Sequence, residues 1–255
     1  MYFIDVQGTL ISDHDKTPIK GALAFIEKLR KENIPFLLIT NNTKRPSREF
    51  FEFLRTSGFA IEPEHYIDPL MVLPEVLHAK RVAAYGTKDF LQNLQNMGYE
   101  LDFTSPQSVV VAIKKDFTAD EYAQMIEALL GGASLIGMHE TSLYAKDGKR
   151  YPGVGAILKM LSFATQKEYE VVGKPSPLFY QKALEKLREQ EPRADFDTIT
   201  IISDDVTGDL VGAKKLGMRT VFVTSGKYKD AKEILPSLPK EQWPDIVKTD
   251  ISELL

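Results

Sequence analysis

Short apolar runs alternate with stretches of helical periodicity along this chain. Tyr2 to Val6 is a compact, largely apolar run and predicts a first strand. From Lys20 to Lys31, Leu23, Ile26 and Leu29 recur at the spacing of one helical face. Pro35 to Thr40 predicts a buried strand that ends in the polar run Thr40-Asn41-Asn42-Thr43. Ser47 to Ser57 predicts a helix with Ser47 as its cap and Gly58 just past its end. Phe50, Phe51, Phe53 and Leu54 on that helix read as core rather than as a ligand face.

The same alternation returns late in the chain. Ser176-Pro177 opens a helix carrying Phe179, Ala183, Leu184 and Leu187, with proline in the first turn. Thr198 to Ile202 predicts a strand, Asp209 to Leu216 a helix closed by Gly217, and Arg219 to Thr224 another strand. The middle has its own βα character: strands at Arg81 to Tyr85 and Val109 to Ile113, helices at Lys88 to Met97 and Ala119 to Leu130. It is too long for a loop. The fold class is therefore α/β: a Rossmann-like, doubly wound parallel sheet formed by residues 1–70 and 169–255, with a second α/β domain, 71–168, inserted into it.

Composition narrows the chemistry. The chain has 255 residues, 43% of them hydrophobic and 27% charged, with a formal net charge of −4. No long basic run favours nucleic acid, and no apolar run nears the roughly 18 residues of a membrane span. A soluble, cytoplasmic protein is the default expectation. With no cysteine and only four scattered histidines, thiolate nucleophiles and cysteine-bound metals are excluded. Oxygen ligands remain, and these suit a hard cation such as Mg²⁺.

Four segments hold the candidate chemistry. Asp5 ends the first strand and precedes Val6-Gln7-Gly8-Thr9; Thr40-Asn41-Asn42 ends the second. Gly173-Lys174-Pro175 follows the apolar Val171-Val172, and Ser203-Asp204-Asp205, with Asp209 close behind, follows the strand at Thr198 to Ile202. Each alone has a plainer reading as a turn, a cap or a solvated loop. All four, however, follow short apolar runs, and in an open parallel sheet such strand ends face one crevice. A nucleophilic carboxylate, a hydroxyl and amide pair, a lysine and an acidic cluster converging there would suit phosphoryl transfer.

These segments resemble the four motifs of haloacid dehalogenase-type hydrolases. The match runs through Asp5-Val6-Gln7-Gly8-Thr9-Leu10, Leu38-Ile39-Thr40-Asn41-Asn42, Val172-Gly173-Lys174-Pro175-Ser176-Pro177 and Ser203-Asp204 through Asp209-Leu210-Val211-Gly212-Ala213. The Thr-Asn-Asn form and the long insertion resemble the NagD-like branch with a type IIA cap, as do Ala84-Tyr85-Gly86-Thr87, Gly131-Gly132-Ala133 and Tyr151-Pro152-Gly153-Val154-Gly155-Ala156. The resemblance implies a Mg²⁺-dependent phosphatase acting on a small phosphorylated metabolite. Asp5 would be the nucleophile, Thr40, Asn41 and Asn42 would bind phosphate, and Lys174 would pair with Asp5 and the phosphate. Asp5, Asp204 and the carbonyl of Gln7 would hold the metal, with Asp205 and Asp209 in support. A homodimer formed through the cap is a further expectation of the resemblance.

One departure bears on turnover. The family carries a second aspartate two residues after the nucleophile, as general acid and base; this chain has Gln7. An amide donates a hydrogen bond but transfers no proton at neutral pH, and such assistance is typically worth about 10²–10⁴-fold. Impaired or specialised turnover is expected, and the alternative is a non-catalytic phosphate-ligand-binding or regulatory protein. Met138-His139-Glu140-Thr141 and Ala112-Ile113-Lys114 also depart from the branch, and Ser203 replaces a usual glycine. His139 is a candidate substrate contact from the cap; its plainer reading is a surface-loop histidine. Gly153-Val154-Gly155 follows a proline, not a strand, and lacks the third glycine of a dinucleotide loop.

Overall fold

The structure is a computed structural model and describes residues 1–146 and 149–255. These residues fall into two compact units. The first comprises Met1–Thr40, Arg48–Ile67 and Tyr180–Leu255, the second Asn41–Ser47 and Asp68–Phe179.

In the first unit the apolar runs become the strands β1 (Tyr2–Asp5), β2 (Phe36–Ile39) and β3 (Tyr66–Ile67), and later β11 (Thr200–Ser203), β12 (Arg219–Val223) and β13 (Ile246–Lys248). They form one sheet in the order β13-β12-β11-β1-β2-β3, parallel throughout. The chain winds outward from β1 in one direction and from β11 in the other. The border of β1 and β11 is thus the topological switch point, where open parallel sheets bind their ligands. All four residues of β2 are buried, because helices cover both faces of a parallel sheet and leave no polar side.

Helix α1 (Ala22–Lys31) turns Ala22, Phe25, Ile26 and Leu29 inward at helical spacing, onto a core shared with Ile4, Leu38 and Ile202. Leu23, expected on that face from periodicity, is exposed, because the buried stripe is centred on Phe25 and Ile26 instead. In α2 (Ser47–Thr56), Phe50, Phe51 and Leu54 join the same core, and Phe53 packs against it, as expected.

The second unit repeats the theme. Its strands are β4 (Arg81–Tyr85), β5 (Glu100–Leu101), β6 (Ser108–Val111), β7 (Ser134–Gly137) and β10 (Tyr169–Val171), all parallel in the order β10-β7-β6-β4-β5. Strands β8 (Leu143–Lys146) and β9 (Lys149–Pro152) pair antiparallel. The unit also carries the short α3 (Pro69–Val72), α4 (Lys88–Asn96), α5 (Ala119–Leu130) and α6 (Val154–Thr165). Its own core joins Val109, Val111, Met125, Leu129, Leu158 and Leu161.

Helix α7 (Pro177–Leu187) starts where Ser176 and Pro177 predict, with the Ser176 hydroxyl accepting from the Phe179 N–H at 3.4 Å. Phe179, Ala183, Leu184 and Leu187 are all buried. The segment read as one helix from Asp209 is really two. A π-helical turn, Val206–Leu210, runs into the short α8 (Val211–Lys215). The Asp205 carboxylate starts that turn by accepting from the Gly208 N–H at 2.9 Å. Among the described residues, no helix is long and apolar enough to cross a membrane.

Candidate active site

The switch point of the first unit gathers most of the sequence candidates. Asp5 is the last residue of β1, Thr40 directly follows β2, and Asp204 directly follows β11. Because the three strands are adjacent and parallel, their carboxyl ends bring these side chains to one edge of the sheet. Asp5, Thr40, Asp204 and Asp209 are all buried.

Thr9, which the sequence reading left without a role, ties the two acidic segments together. Its hydroxyl donates to Asp5 Oδ2 at 3.3 Å and accepts from the Asp204 N–H at 3.1 Å. Gly8 holds the left-handed φ of +81°, and a Cβ there would lie 2.1 Å from Asp204 Oδ2. A Cβ on Gly226 would lie 1.9 Å from the same oxygen and 2.6 Å from the Gly8 Cα. The Asp204 carboxylate is therefore wedged between two bare backbones, and the loop after β12 completes its seat. There the Lys227 N–H donates to Asp204 Oδ2 at 2.6 Å, and the Ser225 hydroxyl donates to the Gly8 carbonyl at 2.7 Å.

Burial pushes the Asp204 carboxyl well above its ordinary pKa, and the neighbouring carboxylates of Asp5 and then Asp205 add to the shift. Asp205 answers to a different partner: its Oδ2 pairs with Lys227 Nζ at 2.8 Å. Burial alone would lower the lysine's pKa, but the Asp205 carboxylate outweighs it and the net shift is upward. Asp209 accepts from the Ser203 hydroxyl at 2.6 Å, so the serine that replaces a usual glycine is put to use. The Tyr180 hydroxyl donates to the Asp209 carbonyl at 3.1 Å from a fully buried position.

Gln7 faces Thr40. The Thr40 hydroxyl donates to Gln7 Oε1 at 2.6 Å, which fixes the amide so that its NH₂ end is the group left to offer.

The remaining candidates belong to the second unit. Asn41 brackets the backbone of Lys174: its Oδ1 accepts from the Lys174 N–H at 2.9 Å and its Nδ2 donates to the Lys174 carbonyl at 3.3 Å. The Lys174 side chain is buried. Asn42 closes its own loop, donating to the Arg45 carbonyl at 2.8 Å and accepting from the Arg45 N–H at 3.3 Å. His139 corrects the surface-loop reading: it is buried, at the segment just after β7. Gly153 and Gly155 open α6 against the backbone oxygens of Thr141 and Glu140, a packing role with no room for a phosphate.

Two family models match the chain: haloacid dehalogenase-like hydrolase over residues 2–100, and HAD-hydrolase-like over residues 171–254. The chain belongs to the haloacid dehalogenase-like hydrolases. Among relatives of this family, the mouse phospholysine phosphohistidine inorganic pyrophosphate phosphatase is 26% identical over 262 residues, covering 99% of this chain and 93% of the relative. Two solved structures share the fold. The p-nitrophenyl phosphatase from Archaeoglobus fulgidus superposes with a TM-score of 0.81 at 23% identity, covering 99% of this chain and 97% of its own. NagD from E. coli K-12 gives 0.76 at 20% identity, covering 99% and 96%. In this hydrolase Asp5, Thr40 and Asp204 thus lie at adjacent strand ends.

The cation that the family implies can be tested against these residues. Among the described residues no three His, Asp or Glu side chains form a metal cluster. The local donors are oxygens only, and burial, with the Asp5 carboxylate adding to it, raises the pKa of Asp204. Such a set fits a hard divalent ion that keeps several of its own waters.

Proposed function

We propose that the protein is a phosphoric monoester hydrolase that uses Asp5 as nucleophile. Support comes first from the buried Asp5 and Asp204 at the switch point, where the Thr9 hydroxyl links the Asp5 carboxylate to the Asp204 backbone N–H. A relative named as a phosphatase supports the same reading. Asp5 and Asp204, with the backbone carbonyl of Gln7, would hold Mg²⁺. When bound, that ion supplies positive charge against the carboxylate and phosphoryl oxygens. The family resemblance gives Lys174 a share in the same neutralisation and gives Thr40, Asn41 and Asn42 the binding of phosphate.

In the first step an Asp5 carboxylate oxygen attacks phosphorus. The bond from phosphorus to the ester oxygen breaks, and the leaving group departs with the electron pair. In the second step water attacks phosphorus, the Asp5–phosphorus bond breaks, and the carboxylate is restored while the water proton passes to solvent. Gln7 can give the leaving oxygen a hydrogen bond from its NH₂ but not a proton. Phosphates whose leaving group is stable as an anion, such as aryl esters and acyl phosphates, are therefore the favoured class.

The test is hydrolysis of p-nitrophenyl phosphate by wild type and Asp5→Asn, with Mg²⁺ and with chelator. Magnesium-dependent turnover that Asp5→Asn abolishes is expected; equal rates in both proteins would refute the assignment. Gln7 favours one rival, a phosphate-binding protein without turnover. Micromolar binding of a phosphate ester with no product after long incubation would decide for it.

A further inference from the structure

We propose that Lys227 sets the charge of the acidic cluster, trading affinity for the divalent cation against affinity for phosphate. The inference rests on the reading of Asp5 and Asp204 as cation ligands.

Asp5, Asp204 and Asp205 place three carboxylates at one sheet edge, where the buried Asp204 feels the charge of Asp5 and of Asp205. Asp205 Oδ2 accepts from Lys227 Nζ at 2.8 Å, while its Oδ1 accepts from the Gly208 N–H at 2.9 Å and the Thr207 hydroxyl at 3.3 Å. With both oxygens engaged, Asp205 is a turn cap and an ion-pair partner. The ammonium group lowers the negative charge of the cluster by one without occupying Asp5 or Asp204. The backbone N–H of the same residue seats Asp204 at 2.6 Å, a bond that Met or Arg at this position can still donate. Charge and scaffold can thus be separated at one position.

Removing the ammonium leaves an uncompensated carboxylate. A divalent cation then gains attraction, and a phosphate dianion meets added repulsion. The two affinities move in opposite directions. A purely structural role predicts otherwise, since loosening the loop would weaken both. Asp209 has its own partner in Ser203, and its charge is common to every variant.

The experiment is calorimetry on the full chain at neutral pH, with magnesium alone and then with inorganic phosphate at saturating magnesium. Lys227→Met is expected to tighten magnesium and weaken phosphate, each by roughly threefold or more. Lys227→Arg keeps the charge and returns both constants to wild-type values. Asp205→Asn, which keeps an oxygen for the Gly208 N–H, gives the mirror image: weaker magnesium and tighter phosphate. It carries the test should circular dichroism show Lys227→Met unfolded. Affinities that fall together, or that stay flat in both charge variants while the wild type binds magnesium, would overturn the role of Lys227 alone. A wild type that binds no magnesium would overturn the cation assignment beneath it.

Discussion

Replacing Gly226 with alanine tests whether the seat of Asp204 matters to function more than to folding. A Cβ at this position would stand 1.9 Å from Asp204 Oδ2, whereas ordinary contact begins at 3.4 Å. The carboxylate must move by about 1.5 Å, the difference between those two distances. The same added atom would also stand 2.6 Å from the Gly8 Cα, so the two backbones must part as well. A misplacement of about 1 Å in a catalytic array costs on the order of 10²-fold in rate, about 2.7 kcal/mol of transition-state stabilisation. Overpacking costs about 1–3 kcal/mol of stability, roughly 2–12 °C in Tm for a chain of this size. Gly226→Ala should therefore stay folded at room temperature and lose about a hundredfold in kcat/KM for p-nitrophenyl phosphate. Gly217→Ala is the comparator: its φ of +94° strains an alanine, but nothing lies within 4 Å of the added atom. It should lose a similar amount of stability and no activity. Melting curves and steady-state kinetics on both variants decide the matter. Gly226→Ala within threefold of Gly217→Ala in kcat/KM would refute the claim that Asp204 needs this seat.

Gln7→Asp supplies a side chain able to transfer a proton beside Thr40. It should raise hydrolysis of an alkyl phosphate by at least about tenfold, within the range of general acid catalysis, and that of p-nitrophenyl phosphate by less. Equal rates for wild type and variant on the alkyl ester would place residue 7 away from the leaving group. Asp245 gives a pH dependence remote from the site. Burial would raise its pKa, but hydrogen bonds from Lys214 and from the Thr220 hydroxyl and N–H outweigh it, leaving the carboxyl below its ordinary 3.8. A depressed pKa stabilises the fold above the unfolded value and ceases to do so as pH falls through the folded one. The Tm gap between wild type and Asp245→Asn should be full at neutral pH and close below pH 3.8. A gap that persists unchanged into acid would contradict the linkage.

Much of the architecture was legible because periodicity reports burial. Strands such as Phe36–Ile39 and helices such as Ala119–Leu130 announce themselves through apolar runs and spacing. Asp5, Thr40 and Asp204 could be picked out because strand ends are where a parallel sheet exposes its chemistry. Features set by tertiary contact were hidden. Lys227 carries no local signal, since its importance comes from meeting Asp204 and Asp205 across 23 and 22 residues of chain. The π-helical turn at Val206–Leu210 follows from the Asp205 cap, which no hydrophobic period records. His139 looked like a loop residue because the polar Glu140 and Thr141 follow it, yet it is buried. The Ser225-Gly226-Lys227 loop could have been suspected from its place just beyond the β12 run.

The hydrogen bond between Thr9 and Asp204 spans 195 positions. During synthesis the first strand therefore emerges long before the partner that completes its acidic edge. A nascent chain can pair β1 with β2 early, but β11 arrives only after the entire second unit has been made. Such distant pairing pays its loop-closure entropy late and folds slowly. Shortened chains that end before Thr200 would keep β1 and Asp5 yet lack β11 and Asp204, so translation order itself withholds this acidic edge until β11 has been made.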